Sequence, residues 1–200
     1  MLHPRIDPAS PTDTARDATE AAEARLVGAV ARGERPAFDA LYRAYYPRLT
    51  RFLDRMLRRP ALVEEVLDDT MLVVWRAAQR YNGTSKVSTW IFAIAYRTAL
   101  KALRRLDEPV EDAAADARPT SEPGPEQQLD QRQVRELLAR ALGALSAPQR
   151  AVVELTYFHG IGYREIAAIV DCPVDTVKTR MFHARRRLKS LLAGRLDGAS

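Results

Sequence analysis

The sequence predicts an all-α chain of two small helical domains joined by a flexible acidic linker. Three observations predict it. Apolar residues recur at spacings of three and four along two long stretches. Glycine is sparse, at 9 residues in 200, while the helix formers Leu, Ala, Arg and Glu are abundant. Between the two stretches, residues 107–130 hold Pro109, Pro119, Pro123 and Pro125, eight acids and one arginine. They carry almost no large apolar side chain with which to bury a core.

Charge follows the same division. Residues 37–106 carry thirteen Lys/Arg against six acids, and residues 131–200 carry twelve against six. Two basic blocks flanking an acidic strap suit two contacts with a polyanion. Two solvated helical domains rich in arginine would give the same composition, so charge alone leaves both readings open.

Several function classes are disfavoured early. Cys172 is the single cysteine, so no intramolecular disulfide can form. His3, His159 and His183 are scattered and suggest no metal site. There is no glycine-rich phosphate loop and no nucleophile with an evident base, so neither an enzyme nor a cofactor nor a small-molecule substrate is expected. No apolar run approaches the roughly 20 residues of a membrane span, and the start lacks a secretory apolar core. A cytoplasmic protein with no membrane insertion is the expectation.

Residues 1–24, with Pro4, Pro8 and Pro11, read as a flexible arm. Residues 25–106 form the first expected domain. A short helix carries Leu26, Val27 and Val30 and stops near Gly33; Pro36 suits the first turn of the next helix. That helix is apolar at Phe38, Leu41, Tyr42, Tyr45, Leu49, Phe52, Leu53, Met56 and Leu57, with Pro47 expected to kink or split it. A third helix, about Ala61 to Arg80, turns Val63, Val66, Leu67, Thr70 and Val74 inward and Glu64, Glu65, Asp68 and Asp69 elsewhere. Tyr81 to Ser85 is a loop. Ser88 or Thr89 is the expected cap of a fourth helix, Trp90 to Leu106.

The linker, 107–130, precedes the second domain, 131–195. Val134, Leu137, Leu138, Ala141, Leu142 and Leu145 share one helix face, and Ser146-Ala147-Pro148 reads as a cap and helix start. Val152, Val153, Leu155 and Tyr157 continue the core. Residues 162–189 then read as a helix-turn-helix. Tyr163 to Val170 is the first helix, Asp171-Cys172-Pro173 the turn, and Cys172 a small buried turn residue. Val174, Val177, Met181, Ala184 and Leu188 share a buried stripe; Lys178, Phe182, Arg185 and Lys189 share the adjacent face, flanked by Thr179, His183 and Arg186. Such a helix suits the major groove. Arginine and lysine there fix position on phosphates, Lys178, Thr179 and His183 can reach base edges, and Phe182 can lie on a thymine methyl.

Two segments resemble region 2 of bacterial sigma factors: VEEVLDDTMLVVW, from Val63 to Trp75, and YNGTSKVSTWIFAIA, from Tyr81 to Ala95. GYREIAAIVDCPVDTVKTRMFHARRRLKSLL, from Gly162, is similar to region 4. With only an acidic linker between them, the chain resembles an extracytoplasmic-function (group IV) sigma factor of the sigma-70 family over about residues 25–193. The resemblance implies core RNA polymerase and promoter DNA as partners, and an anti-sigma factor that restrains it. It implies that Glu65, Asp68 and Asp69 grip polymerase, although an ordinary solvated face remains the alternative. It implies that Asn82 to Ser88 and the following helix start capture the melted −10 element, and that region 4 reads the −35 element. Arg97 departs from the asparagine that many members carry at this position, and phosphate contact is its alternative role, with Lys101 beside it. Trp90 is open between base stacking and core; Trp75 reads as core. The linker is open between a polymerase channel and a plain tether.

Overall fold

A computed structural model describes residues 11–107 and 138–196, with side chains from 18 to 106 and from 138 to 192. All regular structure among the described residues is helical. Residues 108–130 of the expected linker and the expected positions of Val134 and Leu137 lie outside them.

The first helix, α1 (Pro11–Ala31), starts well inside the stretch expected to be a flexible arm. Proline is tolerated in a first helical turn, and the alanines that follow favour continuation. Tertiary contacts hold the later part: the Tyr45 hydroxyl donates to Glu23 Oε2 at 2.7 Å, and Arg48 pairs with Glu23 at 3.6 Å. Gly33, at φ +85°, makes the turn into α2 (Arg35–Leu57). Pro47 does not split α2. Leu41 and Tyr45 before it, and Leu49, Phe52, Leu53 and Met56 after it, are all fully buried. That burial, at about 1.5–3 kcal/mol per large side chain, outweighs one missing helix hydrogen bond.

Helix α3 (Pro60–Ala77) ends in a tight turn, Ala78–Arg80, instead of continuing as one helix to Arg80. Its inner face is the expected one, with Val63, Val66, Leu67, Thr70 and Val74 buried. Helix α4 (Val87–Asp107) begins three residues before the expected Trp90. The Trp90 N–H donates to Lys86 O at 3.0 Å, so Ser88 and Thr89 lie in the first turn and neither is the cap. Val87 is fully buried and anchors that turn to the core.

The second domain opens with helical residues 138–143 (α5). Next come α6 (Ala147–Tyr157), α7 (Tyr163–Val170) and α8 (Val174–Leu196). Ser146 caps α6 reciprocally with Gln149, as the Ser-Ala-Pro signal predicts. Ala141, Leu142 and Leu145 are buried, but Leu138 and Tyr157, both expected in the core, are 39% and 57% exposed. They face a shallow apolar groove shared with Phe158, Leu188 and Leu192.

The two domains pack together. Helix α4 lies against α7, and α2 against α6. His159 meets Phe92 edge-on at 4.8 Å and Phe52 at 6.1 Å, while the two phenyl rings meet at 5.3 Å. Beside them Glu154 is completely buried and pairs with Arg55 at 3.2 Å.

This junction has opposed titrations. Burial pushes the Glu154 carboxyl up to about 7, against the pull of Arg55 and Arg150 and with a small push from Asp54. Burial, with Arg48, Arg51 and Arg55, pushes His159 down to about 4. Stability tied to Glu154 is therefore full below its ordinary value and declines as pH rises through about 7. Stability tied to His159 is present above its ordinary value and declines as pH falls toward 4. Between about pH 4.5 and 6.5 the two slopes cancel. The variant His159→Phe keeps a ring in place and removes one slope. Its unfolding free energy, from denaturant titration, should then fall from pH 5 to 8 by about 3 kcal/mol, at about 1.4 kcal/mol per unit. A flat profile in that variant refutes the assignment of Glu154 as the titrating group.

Candidate nucleic-acid interface

The turn between α7 and α8 is fixed by backbone geometry. Asp171 adopts the left-handed conformation at φ 50° that ends α7, and the Cys172 N–H donates to Ala167 O at 3.1 Å. Thr176 and Val177 donate to Pro173 O, which starts α8. Cys172 is half-buried, with Arg180 Nη1 3.5 Å from its sulfur. Val177, Met181 and Ala184 are buried at 0–2%, so the expected stripe locks the rotation of α8 about its axis.

That rotation leaves the opposite face in water. Phe182 is 62% exposed, the most exposed large apolar side chain among the described residues. It meets His183 edge-on at 5.5 Å. Lys178 is exposed and pairs with Asp175 at 3.0 Å, and the Thr179 hydroxyl donates to Asp175 O at 2.9 Å. Arg186 is exposed. Arg185 is exposed too, but its Nε donates to the Tyr157 hydroxyl at 2.9 Å, which aims its guanidinium from the domain's own surface. The Arg185 contact was not legible from helix spacing, because Tyr157 reads as core.

On the first domain, Asn82 Oδ1 accepts from the Thr84 N–H at 3.1 Å and the Thr84 hydroxyl at 2.8 Å. That amide oxygen therefore shapes the loop, and Gly83 takes φ +73° at its tip. Tyr81 leans on Trp90 at 5.0 Å, and both are partly buried against the core. Arg97 and Lys101 are exposed on α4, seven and eleven residues beyond Trp90, and Ser88 is half-buried in the first turn. Tyr81, Trp90, Arg97 and Lys101 thus give an aromatic step followed by a cationic track.

A second surface lies on α3. Glu64, Glu65, Asp68 and Asp69 are all exposed. Asp68 accepts the Tyr42 hydroxyl at 3.0 Å, and burial together with that bond pushes Tyr42 up to about 12. Leu72 and Val73, one turn beyond the acids, are 43% and 42% exposed, and Tyr46, stacked on Tyr42 at 5.8 Å, is 38% exposed. Sequence reading missed these three apolar members. Their signal was the lapse of the helix pattern at Leu72-Val73, where the outward face stays apolar. Trp75 packs edge-on against Phe38 at 5.1 Å, consistent with a core role.

Residues 41–108 match the family described as Sigma-70 region 2, and residues 135–188 match Sigma-70, region 4. The chain is 32% identical over 154 residues to the ECF RNA polymerase sigma factor RpoE of Cereibacter sphaeroides, covering 76% of this chain and 84% of that one. This chain belongs to the extracytoplasmic-function sigma factors of the sigma-70 family. The ECF RNA polymerase sigma-E factor of Escherichia coli is 30% identical over 175 residues, covering 82% of this chain and 90% of its own. Among solved structures, the sigma factor RpoE in complex with the anti-sigma factor NepR, from Bartonella quintana, is 25% identical with a TM-score of 0.60; the match covers 78% of this chain and 96% of that one. CnrH in complex with the cytosolic domain of CnrY, at 23% identity and a TM-score of 0.66, shares the fold over 86% of this chain and 98% of its own. As a sigma factor the chain binds core RNA polymerase and directs promoter-specific transcription initiation, with region 4 reading the −35 element and region 2 capturing the melted −10 element. No described helix of this ECF sigma factor is long and apolar enough to cross a membrane.

Proposed function

We propose that α8 reads the −35 duplex through Lys178, Thr179, Phe182 and His183, with Arg185 and Arg186 on phosphates. The observation that carries this is Phe182, held 62% in water by a stripe that fixes the helix from behind. An aromatic ring left there costs solubility and gains a partner on a thymine methyl. On the first domain, Asn82, Ser88 and Trp90 form the mouth for the −10 strand, and Arg97 and Lys101 follow its backbone. Trp90, packed on one side, is suited to stack an extruded base on the other. The acids Glu65, Asp68 and Asp69, with Leu72 and Val73, form the polymerase contact.

Energetics support action on polymerase and not alone. Melting about ten base pairs costs on the order of 14 kcal/mol, at about 1.4 kcal/mol per step. Stacking an unpaired base returns only about 1–3 kcal/mol. The remainder comes from the enzyme the factor docks on. The reading further places the protein in the cytoplasm, without catalysis of its own, and under an anti-sigma factor, as for the Bartonella relative solved with NepR.

Run-off transcription with purified core polymerase tests the division of labour. Lys178→Ala and Phe182→Ala should each reduce −35-dependent initiation about tenfold, since a good base contact is worth about 1–3 kcal/mol. Holoenzyme assembly should be unchanged. A stand-alone repressor is the rival: it would bind a palindrome as a dimer without polymerase, and such binding would replace this reading.

A further inference from the structure

The start of α8 carries a carboxylate on the side that faces the −35 duplex. Asp175 stands in the first turn, three residues before Lys178, and its side chain is 90% exposed. The two pair at 3.0 Å, and both line a cleft of about 790 Å³ between the start of α7 and the start of α8. Glu165, the other acid lining that cleft, is held by Lys86 at 2.6 Å. The Thr179 hydroxyl donates to Asp175 O at 2.9 Å, and Val177, beside Lys178, is fully buried, so the turn that presents the pair is fixed.

A carboxylate on such a face weakens the grip on phosphate. Paired with Lys178, it cancels the charge of a flexible side chain that otherwise settles on the DNA backbone. The pair therefore gains nothing from the sequence-independent part of binding. What it offers is a donor and an acceptor, side by side. In the major groove a base pair presents the converse. Guanine O6 accepts and cytosine N4 donates, and the two lie about 2.9 Å apart because they are hydrogen-bonded to each other. Lys178 Nζ over O6 and Asp175 Oδ1 over the N4 amine satisfy both at once, and guanine N7 adds a second acceptor on the lysine side. A C·G pair reverses the order, setting ammonium against amine and carboxylate against carbonyl. A T·A pair keeps the order, yet it puts the thymine methyl beside the ammonium and adenine N7 beside the carboxylate.

We propose that Asp175 is a specificity-determining residue of the −35 reader, acting as one unit with Lys178 to select a G·C pair in a single orientation. The proposal rests on the assignment of α8 to the −35 duplex and adds the base pair that this turn reads. Much of the selection is rejection, since the carboxylate repels every edge that offers it an acceptor. An acid in a first turn also favours the positive end of a helix. That role would serve all DNA sequences equally, which separates it from base reading.

Run-off transcription by the holoenzyme, from a promoter library randomised across the −35 segment, tests this. Wild type should show one position at which G·C outranks C·G by about tenfold or more. Asp175→Ala should bring that ratio within about threefold and leave selectivity at the other −35 positions in place. Its output from promoters with C·G at that position should rise, which a weakened helix cannot produce. Lys178→Ala should act at the same position. If Asp175→Ala loses helix content by circular dichroism, Asp175→Asn serves instead. An amide offers either an acceptor or a donor, so the order is no longer enforced and the same ratio should fall. The proposal is overturned if the preference survives both variants, if all positions weaken alike, or if the position affected is one that Lys178→Ala leaves untouched. If Lys178→Ala alters no position, the assignment of α8 as the −35 reader fails, and this proposal with it.

Discussion

Phe52→Ala should lower stability by about 3–5 kcal/mol, the usual cost of deleting a buried phenyl ring. Phe52 is 0% exposed and meets both Phe92 in its own domain and His159 in the other. Its removal opens a void on two fronts, and neither front can collapse without dragging a helix. A small protein has only about 5–15 kcal/mol in hand, so this one change consumes a large share. The melting temperature should fall by about 6–20 °C. Differential scanning calorimetry checks the size of the effect, and a loss under about 1 kcal/mol would mean the ring is not the packing centre described here. Scattering of the surviving folded fraction should also show a larger radius, since the same ring fills the junction between domains.

Reversing the acidic face is expected to be as severe for function while sparing the fold. Asp68→Arg with Asp69→Arg changes the surface by four charge units at exposed positions. Core polymerase affinity should fall about a hundredfold, in line with opposed charges across a contact patch. Binding of an isolated −35 duplex should be unaffected, because α8 lies elsewhere. Asp68 also accepts the Tyr42 hydroxyl at 3.0 Å, so part of the loss could reflect a displaced Tyr42. Tyr42→Phe removes that bond without changing charge, and it should leave polymerase affinity within about twofold. An unchanged affinity in the double reversal would move the polymerase contact away from α3.

Much of the local structure was legible from side-chain periodicity. The inner face of α3, the Ser146 cap and the stripe of α8 all follow from helical spacing, because those residues answer to their nearest neighbours along the chain. Pro47 does not split α2, and Pro11 opens a helix, for the complementary reason. Whether a helix survives a proline depends on burial supplied by other helices, and Leu49, Phe52 and Leu53 supply it for α2. Tyr157 and Leu138 show the limit from the other side. Apolar character placed them inside, yet the packing of α5, α6 and α8 leaves them lining an open groove.

The sequence by itself determined an all-helical chain, a helix-turn-helix with Phe182 outward, and an acidic face on α3. These are short-range consequences of spacing, charge and turn chemistry. Only the tertiary structure decided that the two domains lock together through Arg55, Glu154 and His159. Such a junction joins residues about a hundred positions apart, and no periodicity along the chain encodes which buried carboxylate will meet which guanidinium; that is set by how the helices stack.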